Sequence, residues 1–136
     1  MPAEQFVNWD DIEVLIKILS EKVSKMPRSF STITTVSRGG LVPARLLADH
    51  LGIEKILVDK RKISSDTLFV DDIFDSGDTF KKIISNVDNP SNFVFATLFA
   101  RSGKKYPKQL TYAKKTINND YVVFPWDRLE FLSKQK

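Results

Sequence analysis

Hydrophobic and polar positions alternate between two patterns along this chain. Over residues 8–24 the apolar side chains recur every three or four positions, which predicts an amphipathic helix capped by Asn8. Helical spacing also predicts helices over residues 41–51 and 80–87, and short β-branched or apolar runs predict strands over residues 32–36, 55–58, 68–70, 93–99 and 112–116. Because strand and helix signals alternate, we expect an α/β fold with a mainly parallel sheet flanked by helices.

A dense group of polar residues follows the apolar run at residues 68–70. Asp71 and Asp72 come directly after this run, and Asp75 begins the sequence Asp-Ser-Gly-Asp-Thr at the start of the next predicted helix. Ligands of open α/β sheets bind at the carboxyl ends of the strands. We therefore expect the chemistry of the protein at the end of this strand.

Residues 75–79, called the phosphate loop below, have the composition of an anion-binding turn. A helix start offers unpaired N–H groups, Gly77 lets the backbone approach a ligand closely, and Ser76 and Thr79 add hydroxyl donors. The lysine of a Walker loop is absent, which disfavours a nucleoside triphosphatase. Asp71 and Asp72 have no cation beside them in sequence and suit ribose hydroxyls or a hydrated Mg²⁺ ion. The simpler interpretation is an ordinary Asx turn with a helix cap.

A second turn of this kind follows the β-branched run at residues 32–36. Ser37, Arg38, Gly39 and Gly40 lead from that strand into the helix predicted at 41–51. Two glycines permit a tight backbone whose N–H groups face an anion, and Arg38 supplies a fixed positive charge. The alternative is a plain strand-to-helix connection.

Composition narrows the class of protein. The chain has 136 residues, which fits one domain over residues 1–136, and it contains no cysteine, which excludes disulfides and zinc–thiolate sites. Lysine and arginine exceed the acids by 21 to 17, so anionic ligands are favoured, but the excess is too small and scattered to predict nucleic-acid binding. No apolar run has membrane-spanning length and no signal peptide is evident, so we expect a cytoplasmic protein.

The sequence over residues 70–79 resembles the phosphoribosyl-diphosphate signature of the type I phosphoribosyltransferases. Residues 37–43 resemble the pyrophosphate loop of the bacterial xanthine-guanine branch, so residues 37–40 are called the pyrophosphate turn. Pro125-Trp126-Asp127 resembles the same group. This resemblance implies the type I fold with a small C-terminal hood over the base. It also implies transfer of the 5-phosphoribosyl group from phosphoribosyl diphosphate to guanine, xanthine or hypoxanthine in purine salvage, with Mg²⁺ and a dimeric or tetrameric assembly.

The resemblance assigns a role to each candidate site residue. Asp71 and Asp72 would hold the ribose hydroxyls and the metal, and Asp75 would take the proton of the base. Arg38 would bind pyrophosphate as a second catalytic residue. The implied base-binding residues are Arg101, where the family has lysine, Tyr121, which would stack on the purine, and Val122, whose main chain would meet the base edge. The implied phosphoribosyl-diphosphate set is Ser37, Arg38, Gly39, Gly40, Asp71, Asp72, Asp75, Ser76, Gly77, Asp78 and Thr79.

Two departures from the family keep other functions open. Only about a dozen residues separate the strand at 55–58 from Asp71, where the family has a long lid, and Asp78 stands where it often has glycine or a basic residue. These favour, as an alternative, a weakly catalytic regulator that binds phosphoribosyl diphosphate or a nucleotide. The basic run at 60–62 is interpreted as a solvated hairpin turn, or else as a pyrophosphate or subunit contact. An RNA-binding regulator and a phosphoacceptor receiver domain are further alternatives, and His50 is expected outside the site.

Overall fold

A five-stranded parallel sheet forms the centre of the computed structural model, which describes residues 3–129 and 132. The strands and helices follow each other along the chain as β1 (Glu4–Phe6), α1 (Trp9–Ser24), β2 (Thr32–Thr35), α2 (Leu41–Leu51), β3 (Lys55–Val58), β4 (Leu68–Phe74), α3 (Asp78–Ile84), β5 (Val94–Ala100), β6 (Leu110–Lys115) and β7 (Tyr121–Val123). The central sheet has the order β3-β2-β4-β5-β6, with every neighbouring pair parallel. The predicted α/β class is confirmed.

Helices cover the sheet because their apolar faces match its apolar residues. The larger core, which includes Ile12, Leu19, Leu47 and Leu98, joins α1 and α2 to the sheet. A smaller aromatic core includes Phe69 and the residues that pack around it. There Phe69 and Phe95 stack with ring centroids 5.0 Å apart. Asn8 caps α1, as predicted, and Asp11 completes a capping box with it.

β4 is longer than the sequence pattern predicts. It runs to Phe74, so Asp71 and Asp72 lie within the strand and not after it. Pairing with β5 explains the extension, since β5 pairs with β4 as far as Phe74 and Ala100, whereas β2 pairs with β4 only as far as Val70. α3 begins at Asp78 and ends at Ile84, earlier than the predicted helix at both ends.

The hairpin turn predicted for the basic run at residues 60–62 is wrong, although the run is exposed to solvent as predicted. β3 and β4 are not neighbours, because β2 lies between them, and residues 59–66 form a crossover connection. Ile63 is buried in the aromatic core and forms a bridge with Val87. At its start, the side chain of Asp59 accepts hydrogen bonds from the backbone N–H and the hydroxyl of Ser37.

A second, two-stranded sheet joins the two ends of the described chain. β1 pairs in parallel with β7, and the N–H of Tyr121 donates to the carbonyl of Ala3 at 2.8 Å. The sequence did not predict β1. The hood over the site therefore includes an N-terminal strand as well as the C-terminal segment. No helix in the described part of the chain is long and apolar enough to cross a membrane.

Gly40 lies where the pyrophosphate turn packs against the sheet. A Cβ atom at this position would be 2.0 Å from Oγ1 of Thr35 and 2.8 Å from the carbonyl oxygen of Val70. The carbonyl belongs to a central strand and cannot move aside cheaply. We expect Gly40→Ala to lower the free energy of unfolding by about 1–3 kcal/mol, measured by urea unfolding. Gly103→Ala, at a glycine with open space around it, bears only the strain of its φ of +78°, so the loss at Gly40 should be the larger of the two. A loss at Gly40 no greater than that at Gly103 would contradict this explanation.

Candidate active site

Two neighbouring carboxylates lie near the carboxyl end of β4. Asp71 is only 6% exposed and Asp72 is half-buried. Each accepts the backbone N–H of the following residue: Asp72 N lies 2.8 Å from Oδ1 of Asp71, and Ile73 N lies 2.8 Å from Oδ1 of Asp72. These bonds fix both side chains at the sheet edge where ligands are expected.

Burial raises the pKa of both carboxyl groups. Burial raises the pKa of Asp71 to about 6, although its hydrogen bonds with Asp72 act in the opposite direction. Burial also raises the pKa of Asp72 well above its usual range, and the charges of Asp71 and Asp127 add to the effect. A cation bound between these oxygens would offset the cost of ionising both groups.

The carboxylate pair fits a Mg²⁺ ion held jointly by protein and substrate. Mg²⁺ is usually bound by one or two carboxylates together with substrate phosphates, and retains several waters. Among the described residues no group of three or more His, Cys, Asp or Glu side chains is placed to hold a metal ion. Asp71 and Asp72 offer two neighbouring carboxylates, the number of protein ligands that such an ion commonly takes.

The raised pKa of Asp71 predicts how stability depends on pH. The folded protein binds more protons than the unfolded chain between the ordinary pKa of 3.8 and about 6, so stability falls as the pH rises through this window. Asp71→Asn removes the ionisation at this position and keeps the acceptor for the Asp72 N–H. We expect the variant to unfold with a free energy higher by on the order of 2 kcal/mol at pH 7.5, and little changed at pH 4. Urea unfolding at both pH values measures this; a variant destabilised at pH 7.5 would contradict it.

The pyrophosphate turn packs directly on Asp72. A Cβ atom at Gly39 would lie 2.7 Å from Oδ2 of Asp72, so only glycine allows this approach. The peptide between Ser37 and Arg38 is cis. Ser37 donates hydrogen bonds to Asp59, and Gly40 packs against Thr35, so Ser37 and Gly40 hold the turn in place. Arg38 and Gly39 instead line a large cavity. The role of Asp59 was missed, because nothing in the local sequence links it to Ser37.

The phosphate loop encloses a small cavity of about 150 Å³. Gly77 adopts a left-handed conformation with φ of +90°, which favours glycine. The hydroxyl of Ser76 accepts the N–H of Asp78 at 3.2 Å, which closes the turn. All seven candidate ligand-binding residues of the signature line this cavity: Asp71, Asp72, Asp75, Ser76, Gly77, Asp78 and Thr79.

Arg101 connects the phosphate loop with the hood. It is buried, and its Nε and Nη2 donate to the two carboxylate oxygens of Asp75 at 2.9 and 3.3 Å. Its Nη1 donates to Oγ1 of Thr116 at 3.3 Å and to the carbonyl oxygens of Asn118 and Asp120 at 3.4 and 2.7 Å. Arginine has five N–H donors, and these contacts leave one on Nη2 for a ligand. The partners Thr116 and Asp120 were missed, since they lie on a connection far along the chain.

A larger cavity of about 500 Å³ lies between the sheet edge and the hood. Arg38, Asp72 and Asp75 line one side, and the predicted base-binding residues Arg101, Tyr121 and Val122 also line it. Asp72 and Asp75 line the small cavity as well, so the two cavities adjoin. His50 is exposed on α2 and does not line either cavity.

Other hood residues also reach the large cavity. Phe124 and Trp126, predicted as core or interface aromatics, stack on each other with centroids 4.8 Å apart, and both line the cavity. Asp127 was not predicted in the site. Its Oδ2 accepts the N–H of Phe124 at 3.1 Å, and its carboxylate lines the same cavity.

Comparison with known proteins identifies the family to which this chain belongs. No family model matches the sequence. A curated xanthine-guanine phosphoribosyltransferase from Vibrio parahaemolyticus is 30% identical over 148 aligned residues, which cover 93% of this chain and 91% of that protein. The chain belongs to the xanthine-guanine phosphoribosyltransferase family. The resemblance that the motifs predicted is thereby confirmed.

Solved structures show the same phosphoribosyltransferase fold. A purine phosphoribosyltransferase from Pyrococcus horikoshii superposes with a TM-score of 0.75 at 23% identity, covering 93% of this chain and 94% of that one. A xanthine-guanine-hypoxanthine phosphoribosyltransferase from Helicobacter pylori gives a TM-score of 0.75 at 17% identity, covering 96% and 99%. The fold is that of the type I phosphoribosyltransferases, as expected from the sequence.

Proposed function

We propose that this phosphoribosyltransferase transfers the 5-phosphoribosyl group of phosphoribosyl diphosphate to a ring nitrogen of guanine, xanthine or hypoxanthine. The products are a nucleoside monophosphate and pyrophosphate, as in purine salvage. One observation carries the proposal: the small cavity with the phosphate loop and the large cavity under the hood share Asp72 and Asp75. A ribose bridging these acids has a phosphate-binding loop on one side and a base-sized space on the other.

The donor substrate fits the two turns. The 5′-phosphate would lie against the phosphate loop, with Ser76, Thr79 and backbone N–H groups as donors. Asp72 lies beside Gly39 of the pyrophosphate turn, so a ribose held at Asp71 and Asp72 would direct its pyrophosphate towards Arg38. Magnesium held by Asp71, Asp72 and substrate oxygens would supply positive charge to the pyrophosphate.

Catalysis would consist mainly of charge stabilisation. The bond between ribose C1 and the pyrophosphate oxygen breaks, and a new bond forms between C1 and the base nitrogen. Positive charge develops on the ribose as the leaving group departs, and Arg38 with the amides of Gly39 and Gly40 would stabilise the departing negative charge. Asp75 would accept the proton that the base loses, because its carboxylate faces the large cavity and is held there by Arg101.

The hood favours a purine that carries an oxygen at position 6. The free N–H of Arg101 is a donor, so it pairs with an oxo group and not with an amino group. Tyr121 lines the cavity and offers an aromatic face for stacking. Val122 presents backbone groups at the same wall.

The chain would work as a single cytoplasmic domain in a homodimer or homotetramer, as the sequence resemblance implies. The ligands in this proposal are small molecules, without nucleic acid or membrane. The slightly basic composition, with a net charge of +4, is consistent with phosphorylated substrates.

A second candidate is a weakly catalytic regulator on the same fold. The crossover at residues 59–66 is short, and it is anchored near both ends: the carboxylate of Asp59 accepts hydrogen bonds from Ser37, and the N–H of Ser65 donates to the carboxylate of Asp88. A segment held in this way has little length with which to cover the site and exclude water. Slow turnover with tight donor binding would distinguish this candidate.

Steady-state pyrophosphate release tests the proposal. The protein is supplied with phosphoribosyl diphosphate and Mg²⁺, and guanine, xanthine, hypoxanthine and adenine are added in separate reactions. We expect release with 6-oxopurines and much slower release with adenine. Donor binding without release for any base would support the regulatory candidate instead.

A further inference from the structure

The connection between β6 and β7, which we call the hood turn, spans residues 116–120 and lies beside Arg101. Asn118 in this turn has a left-handed conformation with φ of +47°. Three oxygen atoms of the turn accept hydrogen bonds from Nη1 of Arg101: Oγ1 of Thr116 and the carbonyl oxygens of Asn118 and Asp120. The hood turn therefore surrounds one end of the guanidinium group with acceptors.

The side chain of Thr116 is buried and fully bonded. The residue is 4% exposed, and its N–H donates to the carbonyl oxygen of Ala100 at 3.0 Å, which ties it to the end of β5. Its Oγ1 accepts Nη1 of Arg101 at 3.3 Å and the N–H of Ser102 at 3.1 Å, and donates to the carbonyl oxygen of Asn118 at 3.2 Å. A hydroxyl has one hydrogen and two lone pairs, so these three bonds use its full capacity and fix its position.

The other edge of the guanidinium group is held by Asp75. Nε and Nη2 of Arg101 donate to the carboxylate of Asp75, whose side chain is 58% exposed, whereas that of Arg101 is 9% exposed. An ion pair with an exposed partner holds a side chain weakly. Because the donors of a guanidinium group point in fixed directions, the direction of the remaining N–H on Nη2 depends on the buried bonds to the hood turn.

We propose that Thr116 is a positioning residue that sets the preference of the site for 6-oxopurines. The inference deepens the proposed function and rests on it, since the N–H that Thr116 orients is the one assigned to the oxygen at position 6 of the base. Thr116 lines neither the small nor the large cavity, so it acts through Arg101. Without its hydroxyl the guanidinium group keeps its pair with Asp75 but can turn. The base is then bound less tightly and less selectively, while donor binding and proton transfer are retained.

Steady-state kinetics of Thr116→Val with hypoxanthine and with adenine test this. Valine is similar to threonine in shape but lacks the hydroxyl. We expect the preference for hypoxanthine over adenine, measured as the ratio of their kcat/KM values, to fall by about tenfold through a higher KM for hypoxanthine. The kcat with hypoxanthine and the KM for phosphoribosyl diphosphate should change by a few-fold at most. Thr116→Ala, a second removal of the hydroxyl, is expected to give the same result.

Two further variants serve as controls. Thr116→Ser keeps the hydroxyl and is expected to keep the preference for hypoxanthine. Thr111→Val removes a hydroxyl from a half-buried position on β6 that lines neither cavity, and is expected to change nothing. In an Arg101→Lys background, Thr116→Val should have no further effect on the preference, because Thr116 acts through the guanidinium group.

The outcomes separate this inference from the proposed function. Normal turnover with an unchanged preference in Thr116→Val and Thr116→Ala would overturn the inference alone. An equal loss in Thr111→Val or in Thr116→Ser would show a general effect of packing and would also overturn it. Absence of turnover by the unaltered protein with every purine would refute the proposed function, and the inference with it.

Discussion

Replacing Gly77 by valine is expected to abolish binding of phosphoribosyl diphosphate. Gly77 has φ of +90°, and a Cβ atom there would lie 3.3 Å from the ring of Phe74. A β-branched residue disfavours this conformation strongly, so the loop must change shape. The phosphate then loses several charge-assisted hydrogen bonds, and we expect affinity to fall at least about a hundredfold by calorimetry.

Gly52 provides a matched control for this substitution. It ends α2 with φ of +70°, and a Cβ atom there would meet nothing within 4 Å. Gly52→Val introduces similar backbone strain away from the site, costing on the order of 1–2 kcal/mol of stability. We expect it to bind the donor normally. Normal binding by Gly77→Val, or equal weakening in both variants, would argue against the phosphate loop.

Asp75→Asn is expected to lower turnover by on the order of a hundredfold, with only a small change in binding. The amide oxygen of asparagine can still accept the N–H from Nε of Arg101, so the loop keeps its position. The variant cannot accept the proton from the base at neutral pH. The loss should therefore appear in kcat, while the KM values for the donor and the base change by a few-fold at most.

An exposed acid outside the site gives the control for Asp75. Asp66→Asn makes the same change of charge in the crossover connection, where it lines neither the small nor the large cavity. It is expected to leave kcat unchanged. A mild effect of Asp75→Asn, similar to that of Asp66→Asn, would exclude Asp75 as the general base.

Local sequence patterns predicted most of the central fold. α2 has the predicted bounds because Pro43 and Gly52 mark its first turn and its end, and β3 has the predicted bounds as well. The signature residues were found because two acids, a glycine and two hydroxyls follow one apolar run. The end of β4 was misplaced, because pairing with β5 on one side extends the strand through acids that local propensity assigns to a loop.

The remaining features depend on contacts between distant parts of the chain. β1 is a strand only because β7 lies beside it, more than a hundred residues later. The hydrogen bonds of Arg101 to Thr116 and Asp120 and of Ser37 to Asp59 have no local signal. The hairpin turn at residues 60–62 was predicted because β3 and β4 follow each other in sequence, whereas the sheet order places β2 between these two strands.

Amide chemical shifts of the ¹⁵N-labelled protein, titrated with phosphoribosyl diphosphate and Mg²⁺, test the central claim most directly. The account predicts the largest changes at Ser76–Thr79 and at Arg38–Gly40, and further changes at Tyr121 and Val122 only after a purine base is added. Binding that leaves residues 75–79 and 38–40 unchanged would contradict the proposed donor site. So would the absence of any change on adding the donor.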